Sequence, residues 1–146
     1  MNEVTLIRQP GVDSLLEVLD RERRLLAALR AKLWEIAALI ASERDPELAP
    51  AARQIAGLER QLGTTELLRA VVVAGLADLW DEPPHDFSLR AIIRRSDNEQ
   101  AVVLGAELDG LLEITKSVEL LRHSIAGVAR ERLEAAHLAC ERAAAC

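Results

Sequence analysis

The sequence predicts an all-α fold, a helical bundle with coiled-coil character, on three observations. Apolar residues recur at alternating steps of three and four along most of the chain, which is the spacing of one face of an α-helix. Strand signals are scarce, because the 146 residues include no tyrosine and one phenylalanine and no run alternates apolar and polar residues between turn dipeptides. Half of the residues are apolar, enough for one continuous core, and we therefore expect a single domain over residues 1–146.

The first helix is predicted over about residues 14–42. Ser14 and Glu17 have the spacing of a capping box, which marks a helix start. Glu22 alone interrupts the apolar seam that follows. The seam comprises Val12, Leu15, Leu19, Leu26, Leu29, Leu33, Ile36 and Ile40.

Prolines mark the end of this helix and the start of the next. Pro46 and Pro50 cannot lie in a helix interior without losing hydrogen bonds, although either suits a first turn. The apolar pattern resumes over about residues 50–79, a length that matches helix 1 and favours a long antiparallel hairpin. Gly63 is followed by two threonines, so whether helix 2 is kinked or broken there stays open.

A linker is predicted over residues 80–87, and it holds four side chains that could bind a divalent ion: Asp81, Glu82, His85 and Asp86. Pro83 and Pro84 stiffen this segment, and the rest of the sequence supplies no second group of ligands. We therefore interpret it as a helix end followed by a cap, in which Asp86 or Ser88 accepts hydrogen bonds from the next helix.

A short helix is predicted over residues 88–95 and a long final helix over about 97–140. Ser96 and Glu99 form a second capping-box pattern at the start of the final helix. The apolar seam of that helix comprises Ala101, Leu104, Leu108, Leu111, Ile114, Val118, Leu121, Ile125 and Val128.

Charge and targeting signals restrict the function classes. The net charge is -6 and the basic residues are dispersed, whereas phosphate binding needs concentrated Lys and Arg, so nucleic acid is not an expected partner. The densest apolar run, Ala70–Ala77, is too short for stable membrane insertion, and no signal peptide pattern opens the chain. Cys140 and Cys146 lie roughly 9 Å apart on a helix, too far for a disulfide, which fits a reducing cytoplasm.

Catalytic and metal-binding patterns are weak. Glu134 and His137 form a Glu-x-x-His pair of the kind used in di-iron bundles, but such sites need a second pair and two further glutamates. No nucleophile is framed by a base, and no Gly-rich phosphate loop occurs. We expect a protein that is not an enzyme and uses no cofactor or metal, with a metal-binding bundle kept as a minor alternative.

The order of features resembles FlgN-type flagellar export chaperones over about residues 12–135. A long hairpin leads to "ELLRAVVVAGLADLW", in which Arg69 enters an apolar run, and then to an acid and proline loop. Ser88, Leu89 and Ile92 follow in the pattern Ser-Leu-x-x-Ile, ahead of one long C-terminal helix. The sequence departs from the family at Ile114 and Ser117, where many relatives carry an Asn-x-x-Asn pair.

The resemblance implies a cytoplasmic chaperone of flagellar type III export. Such a protein binds the helical C-terminal segments of hook-associated proteins, which form the hook-filament junction, and delivers them to the flagellar export gate. A spare groove would cover the apolar stripe of the exported segment. We place that groove on the final helix, lined by Val118, Leu121, Ile125 and Val128 with Leu120 flanking it. A general helical scaffold or adaptor that forms homodimers or hetero-oligomers is the alternative.

Overall fold

The computed structural model describes residues 10–83 and 87–145, and it confirms the all-α fold. The helices are α1 (Pro10–Ala41), α2 (Leu48–Leu79), α3 (Leu89–Arg95) and α4 (Asn98–Ala145), with a 3-10 turn at Asp45–Glu47 before α2. No strand occurs within the described ranges.

Helix α1 is the central element, because both α2 and α4 pack along it. Gly11 near the start of α1 lies against Leu76 near the end of α2, so these two helices form an antiparallel hairpin. Arg23 Nε donates to Glu107 Oε2 at 3.2 Å, and Arg132, much farther along α4, donates to the backbone oxygen of Ile40 at 3.0 Å. Helices α1 and α4 therefore run in the same direction.

Both predicted capping boxes are wrong. Ser14 is an exposed residue inside α1, which already includes Pro10, a residue whose fixed φ suits a first helical turn. Ser96 is the C-cap of α3, and its Oγ donates to the Ile92 oxygen at 2.7 Å. The N-cap of α4 is instead Asp97, whose Oδ1 accepts a hydrogen bond from the Gln100 N-H at 2.8 Å.

Helix α2 is continuous through Gly63. The hydroxyls of the next two residues bond backwards within the same helix, Thr64 to the Arg60 oxygen at 3.1 Å and Thr65 to the Gln61 oxygen at 2.8 Å. Hydroxyls engaged in this way cap no new helix, so α2 is not interrupted at this position.

The linker ends in the predicted cap and carries an aromatic contact. Ser88 Oγ accepts from the Ala91 N-H at 3.1 Å, as expected for the N-cap of α3, whereas His85 and Asp86 lie outside the described residues. Trp80 meets Phe87 edge to face at 5.7 Å between ring centroids, and the Arg95 guanidinium lies 5.2 Å from the Trp80 ring centre. These contacts fix α3 to the end of α2.

Buried side chains form two clusters at opposite ends of the hairpin. The closed end, where α3 completes the core, contains Val12, Leu15, Leu19, Leu76, Ala77, Phe87, Ile92, Leu104, Leu111 and Ile114. The open end, nearer the turn between α1 and α2, contains Leu29, Leu33, Leu62 and Val118. Within the part of the chain that the structure describes, a fourth helix adds side chains to the closed end and not to the open end.

Candidate helix-binding cleft

A cleft of about 340 Å³ lies beside the open end, bounded by α1, α2 and α4. This volume is at the lower end of the range for ligand pockets. Four apolar side chains line it: Leu26 and Leu29 from α1, Leu62 from α2 and Val118 from α4.

The cleft exists because α2 and α4 pack on α1 rather than closely on each other. Gly63 on the α2 wall borders open space, since a Cβ built there would meet no atom within 4 Å. On the opposite wall, the Thr115 hydroxyl donates its hydrogen bond to the Leu111 backbone oxygen at 2.8 Å and not into the cleft. Of the four base residues, Leu29, Leu62 and Val118 are buried and Leu26 is partly exposed.

The rim of the cleft is predominantly acidic. Arg122 of α4 forms an ion pair with Glu59 of α2 at 2.7 Å across the cleft, and both side chains are close to half exposed. Glu66 and Glu119 also lie on the rim, and neither forms an ion pair with any residue that the structure describes. Three carboxylates and one guanidinium leave a net negative rim, which favours a partner with basic residues.

A buried charge lies close to the cleft. The Glu22 side chain is 5% exposed, and its Oε2 is 3.3 Å from Arg69 Nη1 of α2. Within the described residues this oxygen accepts no hydrogen bond. Burial raises the pKa of Glu22, the Arg69 charge lowers it in part, and the rim residue Glu66 raises it further. Arg69 therefore compensates the charge that interrupts the apolar seam of α1.

The five residues predicted to bind a partner do not form one surface. Val118 is buried in the open-end cluster, and Leu121 and Ile125 pack against that cluster and are partly exposed. Leu120 and Val128 are exposed, 63% and 44% respectively. Leu120 lies about 160° from Val118 round the helix, so it cannot line the same cleft.

Helix α4 continues beyond the turn between α1 and α2. Arg132 contacts that turn, with its Nη1 also 3.5 Å from Asp45 Oδ1, and residues 133–145 are all exposed. Leu133 is 72% exposed and lies about 60° from Val118 round the helix, so it is on the same side of α4 as the cleft. The apolar side of α4 thus extends past the open end.

Glu134 and His137, the Glu-x-x-His pair, are not joined by further ligands among the described residues. His137 Nε2 lies 3.2 Å from Glu141 Oε1, both side chains being exposed, and Glu134 is exposed on the same helix. Among residues 10–83 and 87–145, no group of three or more His, Cys, Asp or Glu side chains could hold a metal ion. Cys140 is an exposed free thiol, and Cys146 lies outside the described residues.

Sequence reasoning missed the α1 and α2 walls of the cleft and the charge pair beside it. Leu29 belongs to the seam of the first helix and Leu62 lies in the apolar pattern of the second, but periodicity gives the face on which a residue lies and not the gap between two helices. A signal for the charge pair was present: Glu22 is the one charge in the seam of α1, and Arg69 is a charge in an apolar run of α2. Two isolated charges on packed faces of adjacent helices predict a compensating pair.

Comparisons with known proteins give no match: no family model fits the chain, and neither a curated protein nor a solved structure is significantly similar to it. None of the described helices has the length and apolar content needed to cross a membrane.

Proposed function

We propose that this protein is a helix-binding chaperone that covers the apolar face of a partner's amphipathic helix in the cleft between α2 and α4. The observation that carries the proposal is the apolar base formed by Leu26, Leu29, Leu62 and Val118 beneath an acidic rim. Helix-in-groove binding needs such a base for the partner's apolar residues and polar groups at its edges. No catalytic group is required for this activity.

The closed end provides a comparison within the same molecule. There α3 packs against α4, and Ile92 of α3 is fully buried among side chains of α1, α2 and α4. At the open end no helix of the described chain fills the equivalent position, and Leu121 and Ile125 are left partly exposed. A helix from a partner would cover these two side chains, just as α3 covers the closed-end side chains of α1, α2 and α4.

The charges of the rim define the chemistry of the partner. A helix with an apolar stripe flanked by Lys or Arg would meet Glu66 and Glu119, which have no ion partner within the described residues. A longer helix could continue along α4 as far as the exposed Leu133. The expected ligand is therefore an amphipathic helix with basic flanks, long enough to span several turns.

The resemblance to FlgN-type chaperones gives this activity a biological setting. On that basis we propose that the chain works in the cytoplasm, binds C-terminal helical segments of hook-associated junction proteins, and delivers them to the flagellar export gate. An exported subunit with an uncovered apolar stripe is prone to aggregate, and covering that stripe before export prevents this.

The test is a calorimetric titration of the purified protein with purified C-terminal fragments of the junction proteins from the same organism. We expect saturable binding by the wild type and a loss of at least about tenfold in affinity for Leu121→Glu/Ile125→Glu, because both side chains pack against the open-end cluster that forms the base of the cleft. The double variant is first checked by circular dichroism for an unchanged helix content.

The matched control is Val102→Glu/Val103→Glu, which places the same charges on exposed positions near the start of α4. It should bind like the wild type. Absence of binding by the folded wild type would reject the flagellar assignment. Binding that both double variants lose equally would reject the cleft as the site.

A general helical scaffold is the second candidate, favoured by the extension of α4 with its exposed Leu133 and Leu138. In this case the extension pairs with another α4. The scaffold predicts that Leu133→Glu/Leu138→Glu abolishes self-association, whereas the chaperone predicts that this variant keeps the fold and the affinity of the cleft for short fragments.

A further inference from the structure

The side of α2 that faces away from α1 carries a second seam. Its six positions follow one another at steps of four, three, four, three and four, which is the heptad spacing of a coiled coil. All six side chains are exposed. The outer seam consists of Arg60, Thr64, Leu67, Val71, Ala74 and Asp78.

The outer seam exposes two large apolar side chains one turn apart. The outward side of α1 carries the ion pair of Arg24 with Asp20 at 2.9 Å, as expected of a helix side that faces solvent. The outward side of α2 instead places Leu67 at 71% and Val71 at 66% exposure. Apolar residues on both sides of a helix indicate that both sides are covered.

The charges of the seam indicate what covers it. In an antiparallel coiled coil, two copies of the seam related by a two-fold axis place Leu67 opposite Val71 of the second copy, and Thr64 opposite Ala74. The same register places Arg60 opposite Asp78 of the second copy at both ends. The seam is thus self-complementary, which is the requirement for an isologous interface.

We propose that the protein forms an antiparallel homodimer through the outer seam of α2. Neither Arg60 nor Asp78 has an ion partner within the described residues, so both are available to a second copy. The paired stretch is about 27 Å long, shorter than most stable interfaces require, and the dimer therefore dissociates on dilution. Because the seam lies apart from the cleft, each copy keeps its cleft open.

Sedimentation velocity over a concentration series tests the dimer. The wild type should shift from monomer to dimer as its concentration rises, and Val71→Glu should raise the dissociation constant at least about tenfold, because each central layer then buries a carboxylate against leucine. Val102→Glu is the matched control, since that valine is 72% exposed on α4 and outside the seam. A wild type that stays monomeric up to roughly 0.5 mM overturns the proposal.

Charge exchange tests the register. Arg60→Asp and Asp78→Arg should each weaken the dimer, since like charges then meet at both ends, and the double variant should restore it. A parallel pairing would leave each single variant like the wild type, because it already opposes like charges. A dimer that is unaffected by the single variants, or that only Leu133→Glu disrupts, overturns the antiparallel α2 interface.

Discussion

The two ends of the bundle are built from the same three long helices, yet one end is complete and the other is not. At the closed end, α3 and Phe87 add to the side chains of α1, α2 and α4, and Ile92 is fully buried. At the open end, the smaller cluster round Leu29 and Val118 is bordered by partly exposed residues and by the cleft.

The two ends differ because α2 and α4 both pack on α1, and α3 fills the remaining space at one end. Helices α2 and α4 flank α1 without closing on each other, so the space beside them has to be filled by something further. The chain supplies seven residues, Leu89–Arg95, for one end only. The open end is therefore the part of the molecule that the proposed partner helix would complete.

The largest contrast is expected from truncating one isoleucine at each end. Ile92→Ala removes a fully buried side chain and should lower the free energy of unfolding by about 3 kcal/mol. Ile125→Ala removes a partly exposed one and should cost about 1 kcal/mol. Urea denaturation measures both losses. Equal losses would mean that the open end is as well packed as the closed end.

Removing the compensating charge beside the cleft should have a smaller, pH-dependent effect. In Arg69→Met the Glu22 charge is left buried and alone, so the pKa of Glu22 rises further. At pH 7 the variant should lose about 2 kcal/mol of stability.

The pH dependence follows from protonation of Glu22. Below 4.5, the usual pKa of a glutamate, Glu22 is protonated in the folded and the unfolded states, and the charge-dependent loss disappears. Urea denaturation of the variant and the wild type at pH 7 and at about pH 4 measures the change. The control Arg53→Met, an exposed residue of α2, should show no loss at either pH. A loss that is the same at both pH values would show that the charge of Glu22 is not its cause.

A still smaller effect is expected at the cap that holds α3 in place. Ser88→Ala removes the acceptor of the Ala91 N-H and should cost about 1 kcal/mol by urea denaturation. Ser124→Ala, at an exposed position in α4, is the control and should be nearly neutral. An unchanged Ser88→Ala variant would indicate that packing alone fixes α3.

The smallest change in stability is expected at the rim of the open end. The ion pair between Glu59 and Arg122 is about half exposed, so Arg122→Met should alter the free energy of unfolding by less than about 0.5 kcal/mol. The same variant frees Glu59 and makes the rim more negative, so affinity for a basic helix should rise a few-fold, most clearly at low salt. Weaker binding would show that Arg122 itself contacts the partner.

Much of the architecture could be predicted because periodicity reports directly on helices. The hairpin, the short helix and the Ser88 cap all follow from apolar spacing and cap chemistry. Cap positions are harder to predict from sequence than helices are. The hydroxyl of Ser96 can cap the end of one helix or the start of the next, and which of the two it does depends on the residue at which α3 ends.

The cleft could be predicted only in part. The seam of α4 was expected to serve the core and the partner at once, but its residues divide by their position along the helix. Val118 is buried at the base of the cleft, Ile125 packs beside it and is partly exposed, and Val128 is exposed. The distance between α2 and α4 and the register of α4 on α1 determine this division, and neither is encoded in a single helix's periodicity.

Chemical-shift mapping distinguishes binding of a partner helix at the open end from binding elsewhere on the bundle. A methyl-labelled sample is titrated with the C-terminal fragment of a junction protein, and the shifts of both ends are compared. If the partner binds at the open end, we expect large changes at Leu62 and Val118 and little change at Ile92 and Leu104. Changes confined to the closed end, or unmoved Leu62 and Val118 signals at saturation, would contradict it.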